Sequence, residues 1–325
     1  MHRLLLAGAL LVACVEPPTV SVELQQIQQN CDEFLCGDNG TTVIGLSFGE
    51  LHQGGLPVSD FRIIKTLAPD GDVASLDVTG PWPRILTDEG WKSGDHMVGT
   101  RILLETPHKP PYDTQYWLEI IAYQQIPYWD GLPGPRIAGF DIRYTYADPT
   151  NPANTIDANV CPHETVDEQG IAGTWAIMSK GDRFSNDASI VATGAAVGGY
   201  FNLSCSGSVI AKLLRIRHAF AARDGLHDTK LDQRKAALRM FTAKYCKEGE
   251  LYTIPGKKLT WEDYAPWSTP VDSNPEAIWT ADGAYCLLEP RYVDREKIAC
   301  EIPKCTDAEL LHWRARGWLQ SRIPK

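Results

Sequence analysis

The stretch from Cys205 to Cys246 constrains the fold more than any other part of the chain. Val209, Leu213, Ile216 and Phe220 recur at helical spacing. Leu238, Phe241 and Tyr245 repeat the pattern after a break, so each segment has one apolar stripe to bury. Gly225 is placed to end the first helix, Thr229 and Asp232 have capping-box spacing for the start of the second, and Gly249 is placed to stop it. The expectation is a helical hairpin with a cysteine at each end.

This hairpin carries an anomalous charge. Ten Lys/Arg and three Asp/Glu lie between Lys212 and Lys247, in a chain whose net charge is −10. The plain expectation is a solvated helix face, its field partly neutralised by the acidic remainder. The sharper one is a docking surface, with Arg215, Arg217, Arg239 and Lys244 receiving phosphate-rich or carboxylate-rich polymers of a cell envelope. The acidic balance and the lack of a nucleic-acid motif argue against nucleic acid as a partner.

The first residues give a location. Arg3 precedes an apolar run from Leu4 to Val12 that stops at Ala13-Cys14, a secretory signal pattern. Leu11-Val12-Ala13-Cys14 resembles the lipobox of bacterial lipoproteins, which implies lipidation of Cys14 and cleavage before it. The run is shorter than the roughly 20 residues that span a bilayer, so anchoring would come from lipid on Cys14. Val15 is not the aspartate that signals inner-membrane retention in such proteins. An exported lipoprotein of the outer membrane, on its periplasmic or surface face, is therefore expected.

Eight further cysteines follow: Cys31, Cys36, Cys161, Cys205, Cys246, Cys286, Cys300 and Cys305. An even set in an exported chain favours disulfides, with the pairing left open; Cys31/Cys36 and Cys300/Cys305 are spaced to close small loops. The C-x2-C pairs of zinc sites are absent, and no metal is expected.

In chain order, residues 1–13 read as a signal peptide and 14–37 as a tether with a small cysteine loop. Residues 38–150 read as a β-rich domain, and 151–325 as an α+β domain stapled by disulfides. Period-two alternation marks Phe140 to Tyr146 as a strand, and Trp117 to Tyr123 as one buried on both faces. Shorter strands are expected at Thr42 to Phe48, Phe61 to Thr66 and Arg101 to Glu105. Pro149, Pro152 and Pro162 mark the boundary at 147–168. Strand-like stretches at Gly173 to Met178 and Ala188 to Ala192 lead into the hairpin, and Thr306 with Glu309 predicts a final short helix. The fold class expected is α+β, an antiparallel sheet or sandwich followed by a domain with a helical hairpin.

Three pieces of the second half carry a resemblance: Leu203 to Ile216, Ala237 to Cys246 and Ala277 to Cys286. Together they resemble the ADYC-domain proteins of myxobacteria, over roughly residues 160–305. The resemblance implies an exported, cysteine-stapled domain without a known activity. The motif Ala-Asp-Tyr-Cys reads Ala243-Lys244-Tyr245-Cys246 here, and cysteines of the family pattern near Leu213 and Ala237 are replaced by apolar residues.

Candidate chemistry is sparse. Gly45-Leu46-Ser47-Phe48-Gly49 has the form of a nucleophile elbow, but Gln53-Gly54-Gly55 follows too soon for the supporting helix, and a strand and turn are expected instead. His218, Asp224, His227 and Asp228 offer metal-ligand atom types at spacings that fit no zinc motif. Cys161 precedes His163 too closely for a catalytic pair. Tyr128 and Trp129, beside a Gly/Pro-rich loop, are candidate ligand-binding aromatics. No nucleotide fingerprint is present, and no cofactor is expected. The chain reads as a lipid-anchored envelope protein with a binding or structural role toward an envelope polysaccharide or protein, more than as an enzyme. The alternative is an envelope hydrolase using His218, Asp224 and His227.

Overall fold

The computed structural model describes residues 40–106, 114–129, 136–148, 151, 153–162, 166–167, 169–185, 187–218, 229–253, 259–262, 273–316 and 319–324. Its first elements are β1 (Thr41–Val43), β2 (Leu46–Phe48), β3 (Glu50–His52), β4 (Arg62–Leu67), β5 (Val73–Thr79), β6 (Trp82–Thr87) and β7 (Gly90–Ser93). The long strands β8 (Arg101–Glu105), β9 (Gln115–Ile126) and β10 (Ile137–Ala147) follow, then β11 (Thr155–Asn159), β12 (Ala176–Ser179), β13 (Asp182–Ser185), β14 (Ser189–Thr193) and β15 (Tyr200–Cys205). Helices α1 (Val209–Arg215) and α2 (Leu231–Thr242) come next. Strands β16 (Thr260–Glu262), β17 (Ser273–Thr280) and β18 (Gly283–Leu287), helix α3 (Asp307–His312) and β19 (Leu319–Pro324) complete the chain.

One antiparallel sheet in the order β3-β15-β12-β10-β9-β8-β4-β5-β6-β7, with β11 also on β10, dominates. It is continuous across 147–168, the segment expected to separate two halves: β10 pairs with β12, and β15 returns to β3. Strand β6 packs across β10 and β12, so the sheet folds over itself around Val78, Ile85, Leu104, Leu118, Ile142 and Phe201. A second sheet, β16-β19-β17-β18, carries α2 against β17 and β19. Among the described residues the structure is thus mostly antiparallel β with three short α-helices, more β-rich than the α+β expectation.

Several expectations change at residue level. Thr42 to Phe48 is the tight hairpin β1/β2, turning through Ile44 and Gly45 at positive φ, because glycine tolerates that conformation and Ile44 is carried with it. In β9, Tyr116, Leu118 and Ile120 are buried while Gln115, Glu119 and Ile121 are exposed, so only one face of that strand is covered.

The hairpin is shorter than its periodicity suggests. Ser208 caps α1, its Oγ accepting the Ala211 N–H at 3.2 Å. The helix ends after seven residues, where Arg217 takes φ 62 and the chain leaves the helical path. Helix α2 begins one residue after the expected cap region, with the Lys230 N–H donating to Gln233 Oε1 at 3.0 Å. It stops at Ala243, in the left-handed conformation (φ 51), well before Gly249. Phe220 and Gly225 lie outside the described residues.

Candidate functional site

The C-terminal end of α2 gathers buried ion pairs, hydrogen bonds and a disulfide, and the sequence Ala243-Lys244-Tyr245-Cys246 forms it. Ala243 supplies the left-handed stop. Lys244 is 1% exposed and reaches both the carbonyl and the carboxylate of Asp187. Partial burial works to raise the Asp187 carboxyl, but donation from Ser185, Ser189 and Lys244 outweighs it and holds the group down to about 2.

Tyr245 donates its hydroxyl to Glu276 Oε1 at 2.5 Å and accepts the Arg291 N–H at 3.1 Å. Arg291 closes the set, bonding Glu276 Oε2 at 2.6 Å and the Met240 carbonyl. Glu276 is fully buried, and hydrogen bonds to both of its oxygens offset the cost of taking the group out of water. Burial, then the Glu276 charge, pushes the Tyr245 phenol far above its ordinary value.

The β17–β18 hairpin docks on this knot. Trp279 stacks on Tyr245 with ring centroids 5.2 Å apart, and its indole N–H donates to Ser321 Oγ at 2.7 Å. Gly283, at φ +123, lets the chain pass so close that a Cβ there would lie 2.4 Å from the Tyr245 carbonyl oxygen. That carbonyl accepts the Ala284 N–H at 2.9 Å. Arg239 binds the Ala281, Cys246 and Lys247 carbonyls. Two of the three stretches quoted for the resemblance, Ala237 to Cys246 and Ala277 to Cys286, are therefore two halves of one packed unit.

Cys246–Cys300 and Cys286–Cys305 tie it off, and a third disulfide, Cys161–Cys205, joins the segment after β11 to the end of β15. The expected local closure of Cys300 with Cys305 does not form, since each reaches a partner on the α2 end or on β18.

The other candidate residues are interior. Arg215 and Arg217 turn inward and stack over Trp129 and Tyr128 at 4.5 Å and 4.1 Å. Arg215 also binds Asp167 and Gln169, and the Trp129 N–H donates to the Arg215 carbonyl at 2.9 Å. Tyr128, Arg215, Arg217, Arg239 and Lys244 are all buried and Trp129 is half-buried. At Arg215, Arg217, Arg239 and Lys244 the basic island is therefore turned inward, toward interior carboxylates, carbonyls and rings, while Lys230 and Lys247 stay exposed.

Arg234, not anticipated as a site residue, likewise forks onto Asp182 at 2.7 and 3.0 Å. Nor were Asp187, Glu276 and Arg291 anticipated, because their partners lie 15 to 57 residues away on other elements.

Ser47 sits in β2, in a hairpin that supplies no strand-to-helix elbow. His218 is buried; Asp224, His227 and Asp228, like Cys14, Cys31 and Cys36, lie outside the described residues. Among the described residues no group of three His, Cys, Asp or Glu is arranged to hold a metal, and no helix is long and apolar enough to cross a membrane. A shallow cleft of about 700 Å³ lies over Leu287 and Arg295–Pro303, where Arg295 binds the Leu287 and Ile302 carbonyls.

Fold and site define a class: a predominantly β protein in which a short helix end and a β-hairpin are locked together by buried ion pairs and disulfides. Residues 94–293 match the ADYC domain, and the chain belongs to the ADYC-domain family. No curated protein and no solved structure matches it.

Proposed function

We propose that this chain is an exported envelope protein, anchored by lipid on Cys14, whose ADYC domain serves as a binding or structural module. The observation that carries the reading is the set of three disulfides joining distant elements, which suits an oxidising compartment outside the cytoplasm. The lipobox-like Leu11-Val12-Ala13-Cys14 supports attachment, and its apolar residue after the cysteine supports outer-membrane delivery in a Gram-negative, myxobacterial host. The ion pairs described above serve packing, which favours a scaffold that presents a surface over a site that performs acid–base chemistry. The envelope partner is a polysaccharide or a protein.

Intact mass and a non-reducing peptide map of the protein extracted from its native membrane test this directly. An acylated Cys14 at the N-terminus with oxidised Cys161, Cys205, Cys246, Cys286, Cys300 and Cys305 is the expected result. Retained Met1 with free thiols would sink the reading.

A further inference from the structure

The three disulfides are not equally covered. Cys161–Cys205 and Cys286–Cys305 are buried at both ends, with no residue more than 8% exposed. Cys246–Cys300 has one buried end, Cys246, and one exposed end, Cys300. A disulfide opens when a thiolate attacks one of its sulfurs, so access decides which bond exchanges and which sulfur leaves. Cys300 is the accessible end.

The chain around Cys300 offers main-chain donors as well. Residues 298–306 form neither helix nor strand, and Ala299, Cys300 and Glu301 are exposed in a row. Arg295 holds this stretch in place, donating to the Leu287 and Ile302 carbonyls. Among the described residues, the N–H groups of Ala299, Cys300, Glu301 and Ile302 donate to no backbone carbonyl. A partner can therefore pair its main chain with this segment while its thiolate approaches the sulfur. Cys300 also lines the shallow cleft over Leu287, which gives that approach room.

We propose that Cys246–Cys300 is a site of thiol–disulfide exchange with a dithiol oxidoreductase, Cys300 being the sulfur attacked and Cys246 the leaving group. The first thiolate of the partner bonds to Cys300 Sγ, the Cys246–Cys300 bond breaks, and Cys246 departs as a thiolate and takes up a proton. The second thiolate of the partner then displaces Cys300, which is protonated in turn. Two electrons and two protons pass to this chain, and the partner leaves as a disulfide. An oxidised partner reverses the sequence.

Opening this bond is a local event. Cys286–Cys305 still holds the far end of the segment, and the Leu287 N–H still donates to the Pro303 carbonyl at 3.0 Å. Tyr245, Glu276 and Arg291 keep the end of α2 against β17 without help from either sulfur. What is released is the tie between the end of α2 and the wall of the cleft. The inference goes beyond the envelope reading and does not rest on lipid at Cys14.

The test uses the full-length oxidised protein in native buffer. Dithiothreitol is added for increasing times, free thiols are alkylated with iodoacetamide, and peptide mapping follows each of the six cysteines. Cys246 and Cys300 should become labelled together, at least about tenfold faster than Cys161, Cys205, Cys286 and Cys305, while cooperative thermal unfolding persists. In a second arm, thioredoxin lacking its resolving cysteine is the trap, and the mixed disulfide should map to Cys300.

Equal rates for the three disulfides, labelling only after denaturant is added, an adduct on Cys246, or no adduct would each overturn the site. Both arms use the unmutated chain, so neither depends on a variant that folds. Any of these failures in a chain isolated acylated and oxidised leaves the envelope reading in place. Retained Met1 with free thiols in the native membrane fails that reading separately.

Discussion

The guanidinium of Arg215 sits over the ring of Trp129, 4.5 Å from its centroid, while its Nη groups bind Asp167 and Gln169. A cation that looks like part of a basic helix surface is thus the pin joining α1 to the loop after β9. Arg215→Ala is expected to destabilise the protein by about 3 kcal/mol in urea unfolding, because Asp167 loses its partner and the stack is lost. Arg215→Lys keeps the charge but not the fork or the plane, and should recover less than half of that loss. A lysine variant as stable as the wild type would contradict this account.

The buried triad of Tyr245, Glu276 and Arg291 predicts unequal costs. Glu276→Gln leaves the Arg291 charge buried against a neutral amide and should cost about 3–5 kcal/mol. Tyr245→Phe removes one hydrogen bond and should cost about 1–2 kcal/mol. The double variant should fall short of the sum, since the two share Glu276. Strict additivity in denaturant midpoints would rule out the shared network.

Gly283 offers a steric test with an internal control. Gly283→Ala places a methyl group 2.4 Å from the Tyr245 carbonyl oxygen at φ +123 and should cost more than about 2 kcal/mol. Gly71 also has positive φ, +95, but open space around it, so Gly71→Ala should pay only the backbone term. Equal losses for the two in thermal unfolding would refute the close approach.

Acid should uncouple Asp187 from Lys244. The Asp187 carboxyl lies lower in the folded protein than its ordinary value of 3.8, at about 2, so its contribution is present above pH 3.8 and fades as pH falls toward 2. Asp187→Asn should therefore be less stable than wild type near neutral pH, with the gap narrowing below pH 3.8 and closing as pH falls through about 2. Because Asp187 is 55% exposed, the difference should also shrink in high salt. A gap that persists at the acid end would mean the side chain acts by shape alone.

Local signals were read well where the chain interacts with its neighbours in sequence. Thr306 and Glu309 form the expected reciprocal cap of α3, with bonds of 2.7 and 3.3 Å, and Arg101–Glu105 is a strand at the expected limits. The ends of the helical hairpin were not legible, because α1 is stopped by Arg215 and Arg217 turning to Trp129 and Tyr128, some 86 to 89 residues earlier. The cysteine pairs were hidden for the same reason, as spacing favours Cys300 with Cys305 while packing carries them to different partners. Charge density along the chain was visible, but its burial was not. Lys244 looks like surface in the sequence and is 1% exposed, since the acid that receives it lies 57 residues away.

The disulfide pattern also sets how this protein ages. A peptide bond cut anywhere between residues 247 and 299 leaves both fragments joined through Cys246–Cys300, and one between 162 and 204 leaves them joined through Cys161–Cys205. Cuts between 287 and 304 are bridged by Cys286–Cys305 as well. A protease nick within these spans sheds no piece, and the damaged molecule stays whole until it meets a reductant.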